Sequence, residues 1–130
     1  MAETKIKNFT DLQTWKEAHR LAVLTYKVTK EFPKEERFSL IDQMRRCAIS
    51  ISSNVAEGFS RQGPKEKIQF YFMAKGSLTE LQNQLLLAKD VGYLLQKDLN
   101  EISIQTVRVH KLLNGLIKSL NTRYKIPNTI

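Results

Sequence analysis

The chain holds two histidines and one cysteine. His19 and His110 stand alone, and neither follows a glutamate in the Glu-x-x-His pattern of di-metal bundle sites. Cys47 falls on an apolar helical face, where a thiol behaves as a small buried hydrophobe. A single cysteine also excludes an internal disulfide and a multi-cysteine zinc site. No Gly-rich phosphate loop, Ser-His-Asp arrangement or metalloprotease helix motif is present. What the residues do offer is hydrogen bonding and charge recognition. Gln43, Arg46, Ser50, Asn54 and Glu57 recur at spacings of three and four, beside an apolar stripe of Leu40, Met44, Cys47, Ala48, Ile51 and Val55. Ser and Asn are poor helix formers, because their side chains compete for backbone hydrogen bonds. Such a stripe suggests a hydrogen-bonded contact with another helix, another subunit or a nucleic acid. Glu57 and Glu80 are candidates for a carboxylate pair within a bundle. The preferred reading is an ion pair from Arg46 to one of them, since a buried carboxylate needs a partner and guanidinium matches it. Arg45, about 100° further round the same helix, is assigned to solvent or ligand.

These residues need long helices to position them. Thr10 with Gln13 resembles a capping box, and a first helix is predicted over 11–31. Leu12, Trp15, His19, Ala22 and Tyr26 form its expected core face, and Leu21, Leu24 and Val28 an opposite apolar group. Phe32-Pro33 ends it. A second helix follows over 34–57, with Gly58 as its C-cap and Phe59 to Gly63 as a loop. Pro64 opens a third over 64–91, whose core face runs through Phe70, Tyr71, Ala74, Ser77, Leu78, Leu81, Leu85 and Ala88. Gly76 lies mid-helix, where glycine costs about 1 kcal/mol relative to alanine, so a closely packed neighbour is expected. The fourth helix is predicted over 98–120, followed by a basic, mobile tail over 121–130. Nothing alternates as a strand would. The expected fold is all-α, one domain over 1–130, an up-and-down antiparallel four-helix bundle. Phe72, Met73 and Leu87, with Leu21, Leu24 and Val28, are read as an oligomer interface, being too apolar to leave in water as patches.

The net charge is +8, with a sequence pI near 9.7. A small domain this basic suits a polyanion, because each neutralised phosphate releases counterions. The candidate contacts are Lys16, Arg20 and Arg45, with Arg61 and Lys65 around the second loop and Arg108 and Lys111 near the end. No apolar run approaches the roughly 20 residues needed to cross a bilayer. The amino-terminal stretch lacks a signal-peptide core, so a cytoplasmic location without membrane attachment is expected. No cofactor is expected.

The blocks FTDLQTWKEAHRLAV, FPKEERFSL, QMRRCAISISSNVAEGFSR and FYFMAKGSLTELQNQL, with Tyr26 and the GYL at 92–94, come in a specific order and spacing from about Phe9 to Leu120. In this the chain resembles the small four-helix proteins encoded by intervening sequences of bacterial 23S ribosomal RNA genes. It departs at Cys47, where the family often has alanine, and at Ser52 or Ser53, where it has proline. The resemblance implies a ring-like homopentamer. It also implies kinship with the accessory variability protein of diversity-generating retroelements, a basic pentamer that binds nucleic acid and a reverse transcriptase. The family is not known for catalysis.

The leading reading is therefore a non-enzymatic homo-oligomer that contacts RNA, or DNA, through a basic surface, with a protein such as a reverse transcriptase as a further partner. The alternative is a structural adaptor that binds a protein through its outer apolar surfaces. A nuclease is a third reading, with neither a metal cluster nor a general-base constellation to carry it.

Overall fold

The computed structural model describes residues 5–125. Four helices account for most of them: α1 (Gln13–Thr29), α2 (Leu40–Ser60), α3 (Pro64–Asp90) and α4 (Gln96–Arg123). Short 3-10 turns, Phe9–Asp11 and Lys34–Glu36, precede α1 and α2, and no strand occurs among the described residues. Each helix packs on its neighbours in the cyclic order α1, α2, α3, α4, and the backbones of the diagonal pairs stand further apart. The fold is an up-and-down four-helix bundle.

Local chemistry explains the boundaries. The capping box is made by Asn8 and Asp11 rather than Thr10 and Gln13: the Thr10 N–H donates to Asn8 Oδ1 at 3.2 Å, and the Asn8 N–H to Asp11 Oδ2 at 3.1 Å. This turn delays α1 to Gln13. Phe32-Pro33 then closes the first hairpin, and the chain makes a 3-10 turn before α2 starts at Leu40. Pro64 sits in the first turn of α3, and Gly92, at φ +87°, takes the left-handed conformation that turns the chain into α4. The α4 helix continues to Arg123, so residues 121–123 are helical where a tail was expected; residues 126–130 lie outside the described part.

Gly58 is not a C-cap. It lies inside α2, buried against α3, where an added Cβ would stand 2.6 Å from Tyr71 Cε1. Only glycine lets the two helices approach this closely. The C-terminal carbonyls of α2 are met by Lys67, whose Nζ donates to Gly58 O at 3.3 Å and Phe59 O at 2.7 Å. Gly76, by contrast, has no neighbour that a Cβ would touch within 4 Å, so the expected close approach there is absent from the protomer.

The core runs through Leu21, Met44, Ile51, Val55, Leu78, Leu81, Leu85, Ile102, Val109, Leu113 and Ile117, all almost completely buried. Leu21 is thus a core residue and not part of an outer surface. Leu24, Val28 and Phe72 are half-buried against the core, while Met73 and Leu87 are exposed. The phase of α1 differs from the expected one by about one position. Thr14, Ala18, Leu21, Thr25 and Thr29 face inward; of the expected face only Leu12 is buried, Trp15 and Ala22 are half-buried, and His19 and Tyr26 are exposed. Threonine tolerates this because its hydroxyl bonds back one turn: Thr25 Oγ1 donates to Leu21 O at 2.8 Å and Thr29 Oγ1 to Thr25 O at 2.7 Å.

Candidate nucleic-acid interface

The most connected polar site joins α1 to α4. Glu17 is buried, yet four side chains direct donors at it. Gln105 Nε2 donates to its Oε1 at 3.0 Å and to its backbone carbonyl at 2.9 Å. Arg20 Nη1 lies 3.3 Å and Arg108 Nη1 3.6 Å from the same Oε1. Gln13 Nε2 holds the other oxygen at 3.0 Å. The Gln105 hydrogen bond, ahead of the attraction of Arg20 and Arg108, holds the Glu17 carboxyl below the usual carboxylate range despite the opposing effect of burial. Two guanidiniums therefore converge on one carboxylate, leaving a local excess of one positive charge. Both keep half or more of their side chain in solvent. Lys16 and Lys111 stand exposed on the same two helices.

Arg45 is not a free solvent cation. Its guanidinium lies 4.4 Å from the centroid of the Tyr26 ring, and its Nε donates to Thr29 Oγ1 at 2.9 Å, tying α2 to α1. Arg61 lies 4.8 Å from the Phe70 centroid and pairs with Glu57 at 3.2 Å, at the turn between α2 and α3. Lys65 is exposed in the first turn of α3.

The polar stripe divides into two parts. Its centre is a seam between α2 and α3. Ser50 Oγ and Ser77 Oγ are 2.8 Å apart, and Asn54 Nδ2 donates to Ser50 O at 2.9 Å and to Ser50 Oγ at 3.1 Å. The Cys47 thiol donates to Glu80 Oε2 at 3.4 Å, and burial, then this carboxylate, pushes its pKa up. Its ends face solvent. Arg46 does not reach Glu57 or Glu80; it pairs with Asp42 at 3.1 Å, with 80% of its side chain exposed. Gln43 is exposed as well. Glu57 and Glu80 make no carboxylate pair, because Glu57 turns to Arg61.

Sequence reasoning missed Glu17 and Gln105. The available signal was a carboxylate in register with Thr14, Ala18 and Leu21, a buried position that demands partners. The acid-then-base spacing of four in Asp42–Arg46 and Glu57–Arg61 pointed to local ion pairs. Among the described residues, no group of three or more His, Cys, Asp or Glu side chains is placed to hold a metal ion. No helix there is long and apolar enough to cross a membrane.

Similar proteins extend this picture. The chain superposes on the crystal structure of a protein of unknown function from the S23 ribosomal protein family of Bacteroides thetaiotaomicron, with a TM-score of 0.75 at 23% identity. That match covers 81% of this chain and 95% of the other. At this identity the likeness establishes the fold. No curated protein matches the chain. The family model of the 23S rRNA-intervening sequence proteins matches residues 10–115. With nearly the whole bundle inside that match, the chain belongs to the 23S rRNA-intervening sequence protein family.

Proposed function

We propose that this protein is a cytoplasmic, non-enzymatic homo-oligomer that binds the phosphate backbone of RNA, or of DNA, on a basic surface. The observation that carries the reading is the Arg20–Glu17–Arg108 cluster. One buried carboxylate orients two half-exposed guanidiniums without neutralising both. Lys16 and Lys111 add charge on the same helices, within a chain of net charge +8. Guanidinium held in this way suits bidentate phosphate contact. A family named for sequences within 23S rRNA favours RNA. Assembly, as a pentameric ring by resemblance, is supported by the exposed Met73 and Leu87 on α3. It would repeat the basic face around the ring.

The test is binding of labelled RNA and DNA across a salt series. Affinity falls log-linearly with salt, and four phosphate contacts to a single strand correspond to about a 50-fold loss between about 50 and about 200 mM salt. Absence of binding to either nucleic acid at low salt refutes the reading.

A second reading, a structural adaptor for a protein partner, draws on a groove of about 390 Å³ between α1 and the start of α4, with Leu24, Val28 and Leu95 among its lining residues. In that case the groove is where Leu24→Glu abolishes partner capture, and the salt-dependent binding of nucleic acid is missing.

A further inference from the structure

Helix α1 turns three threonines and an alanine inward beside Leu21, and its rings outward. Thr14, Ala18, Thr25 and Thr29 are buried, whereas His19 and Tyr26 are exposed and Trp15 only half-buried. Core packing accounts for part of Trp15, which leans on the core, but not for His19 and Tyr26, since a buried ring removes far more apolar area from water than a threonine does. The rings are nonetheless ordered. His19 stacks on Trp15, with centroids 4.8 Å apart and planes 15° from parallel, and Phe9 meets the other ring edge-on at 5.3 Å. Each ring of the stripe is followed directly by a cation: Trp15 by Lys16, His19 by Arg20, Tyr26 by Lys27. All three cations are exposed. The helix thus carries two parallel stripes, one aromatic and one basic, about 16 Å long from Trp15 to Tyr26. At the far end the Arg45 guanidinium lies against Tyr26.

We propose that this double stripe is a binding track for single-stranded nucleic acid, in which unpaired bases stack on the Trp15–His19 rings and the adjoining phosphates meet Lys16, Arg20 and Lys27. The inference rests on the nucleic-acid reading above and specifies its substrate: strands with unstacked bases rather than a closed duplex. A ring face accepts any base, so the track reads no sequence. The stems of lysine and arginine are long enough to lean from the basic stripe toward a backbone lying along the rings. A duplex hides its base faces and offers this helix only phosphates.

Trp15 is the chain's one tryptophan, so its emission reports on the track alone. A single-stranded oligo(A) RNA should quench Trp15 as it binds, while a duplex RNA of equal length, bound to the same occupancy at the same salt, should leave the emission nearly unchanged. His19→Ala removes an exposed ring and keeps the core intact. It should weaken single-strand binding about tenfold and leave duplex binding within about twofold. Trp15→Phe should retain most of the single-strand affinity. Binding of both RNAs without quenching, or equal loss for both on His19→Ala, overturns the stacking track and leaves the phosphate reading standing. Failure of both RNAs to bind at low salt overturns the two together. A Trp15 emission that shifts with protein concentration in the absence of RNA shows a second copy covering the stripe, and also overturns the proposal.

Discussion

Arg45 and Arg46 are adjacent and chemically identical, yet the bundle uses them in opposite ways, and alanine substitution should separate them. Arg45 is half-buried, donates to the hydroxyl of fully buried Thr29 and covers the Tyr26 ring. A hydrogen bond from a charged donor contributes about 1.5–3 kcal/mol, and a partly exposed cation–π contact about 0.5–1 kcal/mol. Thr29 keeps its own bond to Thr25 O after the loss, so no buried hydroxyl is orphaned, and the lower end of the combined range applies. Arg45→Ala should therefore cost about 2 kcal/mol. Arg46 makes one i,i+4 pair with Asp42 in solvent, a class worth about 0.3–0.5 kcal/mol. Thermal unfolding reads the difference: at about 3–6 °C per kcal/mol for a domain of this size, Arg45→Ala should melt roughly 6–12 °C below the wild type. Arg46→Ala should stay within about 3 °C. Equal melting temperatures, or a larger loss for Arg46→Ala, would refute the reasoning and point to a subunit contact made by Arg46.

Gly58→Ala should destabilise by about 1–3 kcal/mol, because its Cβ meets the Tyr71 ring and helices α2 and α3 must part; urea unfolding checks this. Gly76→Ala, at a helical site with no neighbour within 4 Å, should instead stabilise by about 0.5–1 kcal/mol in the same assay. A loss there would place a second chain against Gly76. Glu17 titrates below its ordinary value, so its contribution to stability is present above the ordinary carboxylate range and is lost as pH falls through its lowered pKa. The stability gap between wild type and Glu17→Gln should accordingly be widest near neutral pH and close in acid, and a gap that persists unchanged into acid contradicts the ion-pair account.

The bundle was legible where periodicity and punctuation agreed. Pro64 and Gly92 bracket α3 almost to the residue, and the apolar stripe of α2 from Leu40 to Val55 is the buried one. Hydrophobic spacing failed on α1, where it favoured the rings over threonines whose hydroxyls are satisfied within the helix. The stripe of Ser50 and Asn54 was readable as a helix contact, and its partner is Ser77 on α3. The partners of the arginines were less so. The expected partner of Arg46 is a distant carboxylate, whereas the actual one, Asp42, lies four residues away, and nothing local in the sequence joins Arg45 to Tyr26 and Thr29 across two helices. The Glu17 cluster depends on which face of α4 carries Gln105 and Arg108, a tertiary fact that neither helix reveals alone.

The salt dependence of RNA binding, compared between wild type and a Lys16→Gln, Lys111→Gln double variant, tests the central claim most directly. Both lysines are exposed on α1 and α4, and neither takes part in an ion pair within the described residues. If they neutralise phosphates, the slope of log affinity against log salt for a single-stranded RNA should fall by about 1.4, at about 0.7 per lost contact. An unchanged slope, or no binding by the wild type at low salt, would contradict the account.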